Sequence, residues 1–246
     1  MDFSREELLI GVLATLLEGK SHIAVGASSP IPGSAALLTR ALSNGATRVT
    51  MLGSRRDNGF TDGGRELFDC AAQGRIDAFF LGGGQIDGEG NINLVGNGDY
   101  PKSTVRFPGS FGSAYMYFMV PNVILFREEH SPRVLVPRVD FISAPGTSPP
   151  GLWRRGGPVA LVTGMAAFSF NSDSRRFRLQ SVHPGHTVDE VSAATGFDFD
   201  CPHPVPTTPG PNLETLALMR GPLAARIAET YPKFAARVFP HALAAS

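Results

Sequence analysis

Strand, helix and strand alternate within the first fifty residues, and that alternation restricts the fold more than any other feature of the chain. Ser4 with Glu7 three residues later is a capping-box signature, and Leu8, Leu9, Val12, Leu13 and Leu16 recur at helical spacing up to Gly19. Residues 22–26 (HIAVG) read as a first buried strand, and 27–33 as a turn with two prolines. Residues 34–42 read as a helix stopped at Asn44-Gly45, and 48–52 as a second strand. A helix over 66–73 and a strand over 76–81 follow a polar, glycine-rich loop at 53–64. Strands joined through helices run parallel, because a tight hairpin cannot return the chain in the same direction. The expected fold class is therefore α/β: an open, mostly parallel sheet of about seven strands with helices on both faces.

Further strands are expected at 122–126 and 133–142, and 146–157 (GTSPPGLWRRGG) reads as a Pro/Gly-rich surface loop. From residue 159 the pattern changes to short strands at 159–165, 167–170 and 176–179, with a turn at Asn171-Ser172-Asp173. These form a small antiparallel extension. Thr187 and Glu190 make a second capping box for a helix ending at Gly196, and 200–211 is a linker with five prolines. Asn212 starts the last sizeable helix, and the tail after Tyr231 is expected to be peripheral. No internal repeat or low-complexity segment divides the chain, so residues 1–246 are read as one domain.

Lys+Arg and Asp+Glu both number 22, and no basic run tracks phosphates, which argues against nucleic acid as a partner. The N-terminus (MDFSREE) has no apolar signal-peptide core, and no stretch approaches about 18 consecutive apolar residues. A cytoplasmic protein without a membrane partner is expected. Cys70 and Cys201 stand far apart, with no CxxC or Cys/His cluster, so no metal site is expected. Only 18% of the residues are charged and 17 are Phe, which leaves apolar surface for a subunit interface.

The chemistry concentrates after the third strand. An apolar run ends in Gly82, Gly83 and Gly84, and then come Gln85, Asp87, Asn91 and Asn93 among further glycines. A second small-residue turn spans Gly109, Ser110, Phe111, Gly112, Ser113 and Ala114. Glycines at the end of a parallel strand bring bare backbone N–H groups close to whatever lies beyond, which is where open α/β sheets bind ligands. The amides around Gly83, Gly84, Gly109 and Gly112 are candidate donors to an oxyanion or a thioester carbonyl. Gln85 and Asn91 are candidate positioning groups, or else turn-capping residues that bond their own backbone.

The segment GGGQIDGEGNIN, followed by GDYPKSTVRFPGSFGSA, resembles the β subunits of class I coenzyme A transferases, glutaconate CoA-transferase most closely. Those carry GGAQID-x-x-GN-x-N, then GDY, then a basic residue ahead of RF-x-GSGG. The likeness continues through VDFISAPG (139–146), His183-Pro184-Gly185 and Thr195-Gly196-Phe197-Asp198, covering most of residues 5–220 in order. It implies the α/β fold of that family, acyl-CoA as substrate, coenzyme A as part of the substrate, and no permanently bound cofactor. It also implies a homologous α subunit in a heterodimer or heterotetramer.

In the family a β-subunit glutamate at the end of the second strand attacks the thioester. The resemblance puts Leu52 at that position, and a leucine has no nucleophile. Asp57, Asp62 and Glu66 are the nearest acids downstream, and a shifted alignment brings Asp57 towards the role. The same loss occurs in a branch of the family that resembles this chain, the heteromeric hydrolases of steroid-ring degradation, where the other subunit supplies the carboxylate. Three functions follow as expectations. The first is a CoA-dependent hydrolase subunit, cleaving a C–C bond or a thioester with a borrowed carboxylate. The second is a true acyl-CoA:carboxylate CoA-transferase with a shifted nucleophile. The third is a non-catalytic ligand-binding or structural partner, though no basic helix-turn-helix of the repressor kind is visible. Lys102 and Arg106 are candidates for CoA phosphates or a substrate carboxylate, and Arg55 and Arg56 for a carboxylate. His183, Asp87 and Asp140 read as structural.

Overall fold

The computed structural model describes residues 2–240 and 242. Its elements run α1 (Arg5–Leu16), β1 (His22–Val25), α2 (Pro30–Leu42), β2 (Arg48–Met51), α3 (Gly63–Ala72) and β3 (Ala78–Leu81). Next come β4 (Gln85–Ile86), β5 (Ile92–Asn93), β6 (Gly96–Asn97), β7 (Val105–Arg106), α4 (Ser113–Met119) and β8 (Asn122–Arg127). The chain continues with β9 (Pro158–Thr163), β10 (Ala166–Asn171), β11 (Arg176–Val182), α5 (Val188–Ala193), α6 (Leu213–Arg220), α7 (Pro222–Thr230) and α8 (Pro232–Val238). Two compact units emerge: the described residues of Met1–Cys70, Arg75–Phe80 and Pro209–Ser246, and those of Ala71–Gly74 and Leu81–Thr208.

In the first unit β1 lies between β2 and β3 and is parallel to both, with His22 opposite Arg48 and Ile23 opposite Ala78. All four residues of β1 are buried, as a parallel strand covered on both faces requires. The capping box of α1 forms as its residues dictate: Glu7 N–H donates to Ser4 Oγ at 3.2 Å, and Ser4 N–H to the Glu7 carboxylate at 2.8 Å. Helix α2 begins at Pro30, four residues before the expected start at Ser34. Prolines are accommodated there because the first-turn N–H groups have no intrahelical partner and proline presets a helical φ. The described part of the tail after Tyr231 is not peripheral: α8 packs on α7, and Phe234, Ala235 and Phe239 are buried, while 241 and 243–246 lie outside the described residues. Three short helices replace the single one expected after Asn212, because Pro222 and Pro232 each start a new one.

In the second unit β8 and β9 are parallel, and β9, β10 and β11 pair antiparallel in that order. The fold is thus α/β, mostly parallel, with the antiparallel extension that the short strands predict. Phe168, Phe177, Phe197 and Phe199 pack as a ring cluster at centroid distances of 5.3–6.3 Å. Residues 133–142 are not a strand. Ile86 N–H donates to the Val134 carbonyl at 2.7 Å and Val136 N–H to the Ile86 carbonyl at 2.9 Å, a single bridge that Pro137, lacking an N–H, cannot extend. No helix among the described residues is long and apolar enough to cross a membrane.

Candidate functional site

In the first unit Leu52 follows the last residue of β2, at the carboxyl end of a parallel strand. Its N–H donates to the Val25 carbonyl at 3.0 Å, and its own carbonyl accepts from Asn58 Nδ2 at 3.3 Å. The next residue must be small: a Cβ on Gly53 would lie 2.8 Å from the Ala27 carbonyl oxygen. Leu52 is half-buried and brings no polar atom on its side chain.

The three acids downstream are engaged elsewhere. Asp57 is buried, and its Oδ1 accepts from Arg226 Nη2 at 2.5 Å and from Arg40 Nη1 at 2.9 Å. Its N–H donates to Ser54 Oγ at 2.9 Å, and its carbonyl accepts from Met51 N–H at 2.9 Å. A carboxylate whose charge two guanidiniums neutralise is a poor nucleophile. Glu66 turns back on its own loop, accepting from Thr61 N–H at 2.7 Å and Asp62 N–H at 3.3 Å, and these bonds hold its pKa below the usual carboxylate range. Asp62 pairs with Arg65 on the surface. Arg55 is exposed, and Arg56 pairs with Glu229 at 3.0 Å.

In the second unit Gly82, Gly83 and Gly84 run directly on from β3, and here glycine is required by close packing. A Cβ on Gly83 would strike the Gln85 carbonyl, and one on Gly84 would strike the Phe107 ring. Gly84 thus packs against Phe107, the residue after Arg106. The Gly84 amide is not open to a ligand, because it donates to the Asn93 carbonyl at 2.9 Å. Gly109 has φ +105°, a left-handed conformation suited to glycine, and a Cβ there would meet nothing within 4 Å. Gly112 caps the start of α4.

Gln85 and Asn91 are buried. Gln85 Nε2 donates to Asp140 Oδ2 at 3.1 Å, and its Oε1 accepts from Asn93 Nδ2 at 2.7 Å and Asp140 N–H at 2.9 Å. Asn91 Nδ2 donates to Asp87 Oδ2 at 3.1 Å, and its Oδ1 accepts from Gly146 N–H at 3.0 Å. The side chains of both residues are thus hydrogen-bonded to other groups of the protein. Asn93, to which its motif assigns no role, is fully buried and donates as well to the Gly96 carbonyl at 2.8 Å. Burial pushes the Asp87 carboxyl above its ordinary value, against the hydrogen bonds from Asn91, Val139 and Glu89. Asp87 and Asn91 border a cavity of about 760 Å³ together with Arg138, Arg175 and Phe197.

Arg106 is exposed on β7, with its Cζ 5.8 Å from the centroid of the Tyr100 ring, and Lys102 is exposed in the same loop. His183 is buried between Thr208 Oγ1 at 2.8 Å and the Thr163 carbonyl at 3.1 Å, in keeping with a structural turn. His130, which belongs to no motif, is held between Thr163 Oγ1 at 2.7 Å and Thr195 Oγ1 at 2.9 Å. Burial drops its pKa to about 4.

Mostly parallel strands accompanied by helices, with an antiparallel extension, define an α/β protein. The family model described as Coenzyme A transferase matches residues 18–194, and the chain belongs to that family. It is similar to the β subunit of 3-oxoadipate CoA-transferase from Pseudomonas knackmussii, with 34% identity over 173 residues, 68% of this chain and 66% of that one. It is also similar to the cholesterol ring-cleaving hydrolase IpdB subunit of Rhodococcus jostii, with 30% identity over 160 residues, 63% of this chain and 62% of that one. Each alignment spans just under two thirds of the relative's own length. The crystal structure of the decarboxylase AibA/AibB has the same fold, with a TM-score of 0.78 at 23% identity over 96% of this chain and 99% of that one.

Proposed function

We propose that this chain is the β-type subunit of a heteromeric enzyme acting on acyl-CoA thioesters, and that it catalyses hydrolysis with a carboxylate borrowed from a homologous α subunit. The observation that carries the reading is Leu52 at the carboxyl end of β2, with the three nearby acids, Asp57, Asp62 and Glu66, already bound by the protein. Likeness to a subunit named as a ring-cleaving hydrolase supports it as well. The borrowed carboxylate takes a proton from water, and the hydroxide oxygen bonds to the carbonyl carbon. The resulting oxyanion is held by backbone N–H groups of Gly83 and of the turn from Gly109 to Gly112. Collapse breaks either the C–S bond, releasing CoA as the thiol, or a C–C bond whose carbanion is protonated by the same acid.

The test is to reconstitute the αβ complex, incubate it with acyl-CoA, trap with borohydride and weigh the tryptic peptides of both subunits. An unlabelled β chain, with turnover lost when an α-subunit carboxylate is replaced, is the expected result. Labelling on Asp57, Asp62 or Glu66 would overturn the proposal and restore a CoA-transferase with a shifted nucleophile.

A further inference from the structure

The loop from β6 to β7 carries an exposed ring that the fold does not bury. Tyr100 is 58% exposed, and its ring lies 5.0 Å, centroid to centroid, from that of Phe141 at a tilt of 39°. The Arg106 guanidinium carbon stands 5.8 Å from the Tyr100 ring centroid. Val105 and Ile142, next in sequence to Arg106 and Phe141, are 50% and 46% exposed. Among the described residues neither Lys102 nor Arg106 takes part in an ion pair. Asp99 is the one carboxylate in the loop from Gly98 to Arg106, so this stretch carries more positive than negative charge.

A half-exposed ring beside a guanidinium with no anionic partner leaves two needs unmet. Tyr100 stays 58% exposed even with the Arg106 guanidinium over its ring, which leaves area for a flat partner, and the cations call for anionic oxygens within reach. Arginine in addition stacks on planar groups while holding phosphate, which lysine alone does not. One chemical group meets both needs, a purine carrying phosphates.

We propose that Tyr100, Phe141, Arg106 and Lys102 form the platform for the nucleotide end of coenzyme A. Adenine stacks on Tyr100, while Arg106 and Lys102 hold the phosphates. This rests on the reading of the chain as acting on CoA thioesters, and it gives Arg106 a part of the ligand to bind. Stacking a base on an aromatic side chain strengthens binding by about tenfold or more. The two cations add a salt-dependent share, because phosphate contacts are weakened by competing ions.

The test titrates the reconstituted αβ complex calorimetrically with adenosine 3′,5′-bisphosphate, with pantetheine as a second probe and acyl-CoA as a third. The wild-type complex is expected to bind the bisphosphate. Tyr100→Leu should weaken that binding by about tenfold, whereas Tyr100→Phe should retain it. Arg106→Gln should weaken it and flatten its dependence on salt, and pantetheine affinity should be unchanged in all three variants. Equal bisphosphate affinity in wild type and Tyr100→Leu would overturn the platform, as would a Tyr100→Leu variant that only dissociates the subunits. A complex that binds acyl-CoA but not the bisphosphate sinks this inference alone. A complex that binds none of the CoA-derived probes sinks the functional reading with it.

Discussion

Gln85 and Asp140 grip each other through two hydrogen bonds: Gln85 Nε2 donates to Asp140 Oδ2 at 3.1 Å, and Asp140 N–H donates to Gln85 Oε1 at 2.9 Å. The same Asp140 oxygen accepts from Gly98 N–H at 2.8 Å, so one pair ties the β4–β5 hairpin, residues 139–146 and the start of the Tyr100 loop. Removing either partner leaves buried polar atoms without hydrogen bonds, which costs more than the bonds themselves contributed.

Gln85→Ala is therefore expected to lower stability by about 2–3 kcal/mol, because Asn93 and the Asp140 N–H lose their acceptor. Denaturant unfolding of the purified complex checks it. A variant of unchanged stability with a raised KM would instead make Gln85 a substrate contact.

Asp57→Ala should also act on stability. It leaves Arg226, whose side chain is 15% exposed, without its closest anion, and the cost is expected at about 2–4 kcal/mol. Arg40 keeps more contact with water, at 28% exposed, and adds less. Turnover per folded complex should change little, and a loss of several orders of magnitude in kcat at unchanged stability would mark Asp57 as the nucleophile after all.

Leu52→Ala should leave kcat/KM within about tenfold of wild type, since only packing is lost. Removing a group that forms a covalent intermediate costs on the order of a millionfold in other enzymes, so steady-state kinetics separates the two cases.

His130 predicts an acid-sensitive fold. Burial, with a smaller repulsion from His186 and His183, holds its pKa at about 4 against an ordinary 6.5. Between those values the unfolded chain binds a proton that the native chain does not. Its contribution is complete above pH 6.5 and is lost as pH falls through about 4. The loss is on the order of 3 kcal/mol, at about 1.4 kcal/mol per tenfold. Unfolding curves between pH 7 and pH 4 should show this decline, and His130→Gln should flatten it. An equal decline in the variant would assign the effect to other groups.

Much of the fold was legible in the chain because its signals are local. Ser4 with Glu7 and Thr187 with Glu190 close capping boxes three residues apart, and Asn212 caps α6 through Thr215 N–H at 2.8 Å. Such bonds depend on neighbours in sequence, so residue type and spacing suffice to place them. Short apolar runs between these helices likewise placed β1, β2, β3 and β8 within one or two residues.

The roles of the polar residues were decided by partners far away along the chain. Asp57 stands 17 residues from Arg40 and 169 from Arg226, and Gln85 stands 55 from Asp140. A motif shows that an amide or a carboxylate is present. Whether its atoms point at a ligand or are consumed inside the protein depends on which segments the folded chain brings alongside. The same holds for residues 133–142, which have a strand's composition but find only one bridge to Ile86, and for the tail, whose Phe234 and Phe239 are buried by packing that no local pattern encodes. Sequence by itself thus determined most of the helices and strands, the glycine turns and the leucine that follows β2. Tertiary structure alone decided which polar groups remain free to meet a substrate, because a buried donor or acceptor takes whatever partner the fold puts within about 3 Å.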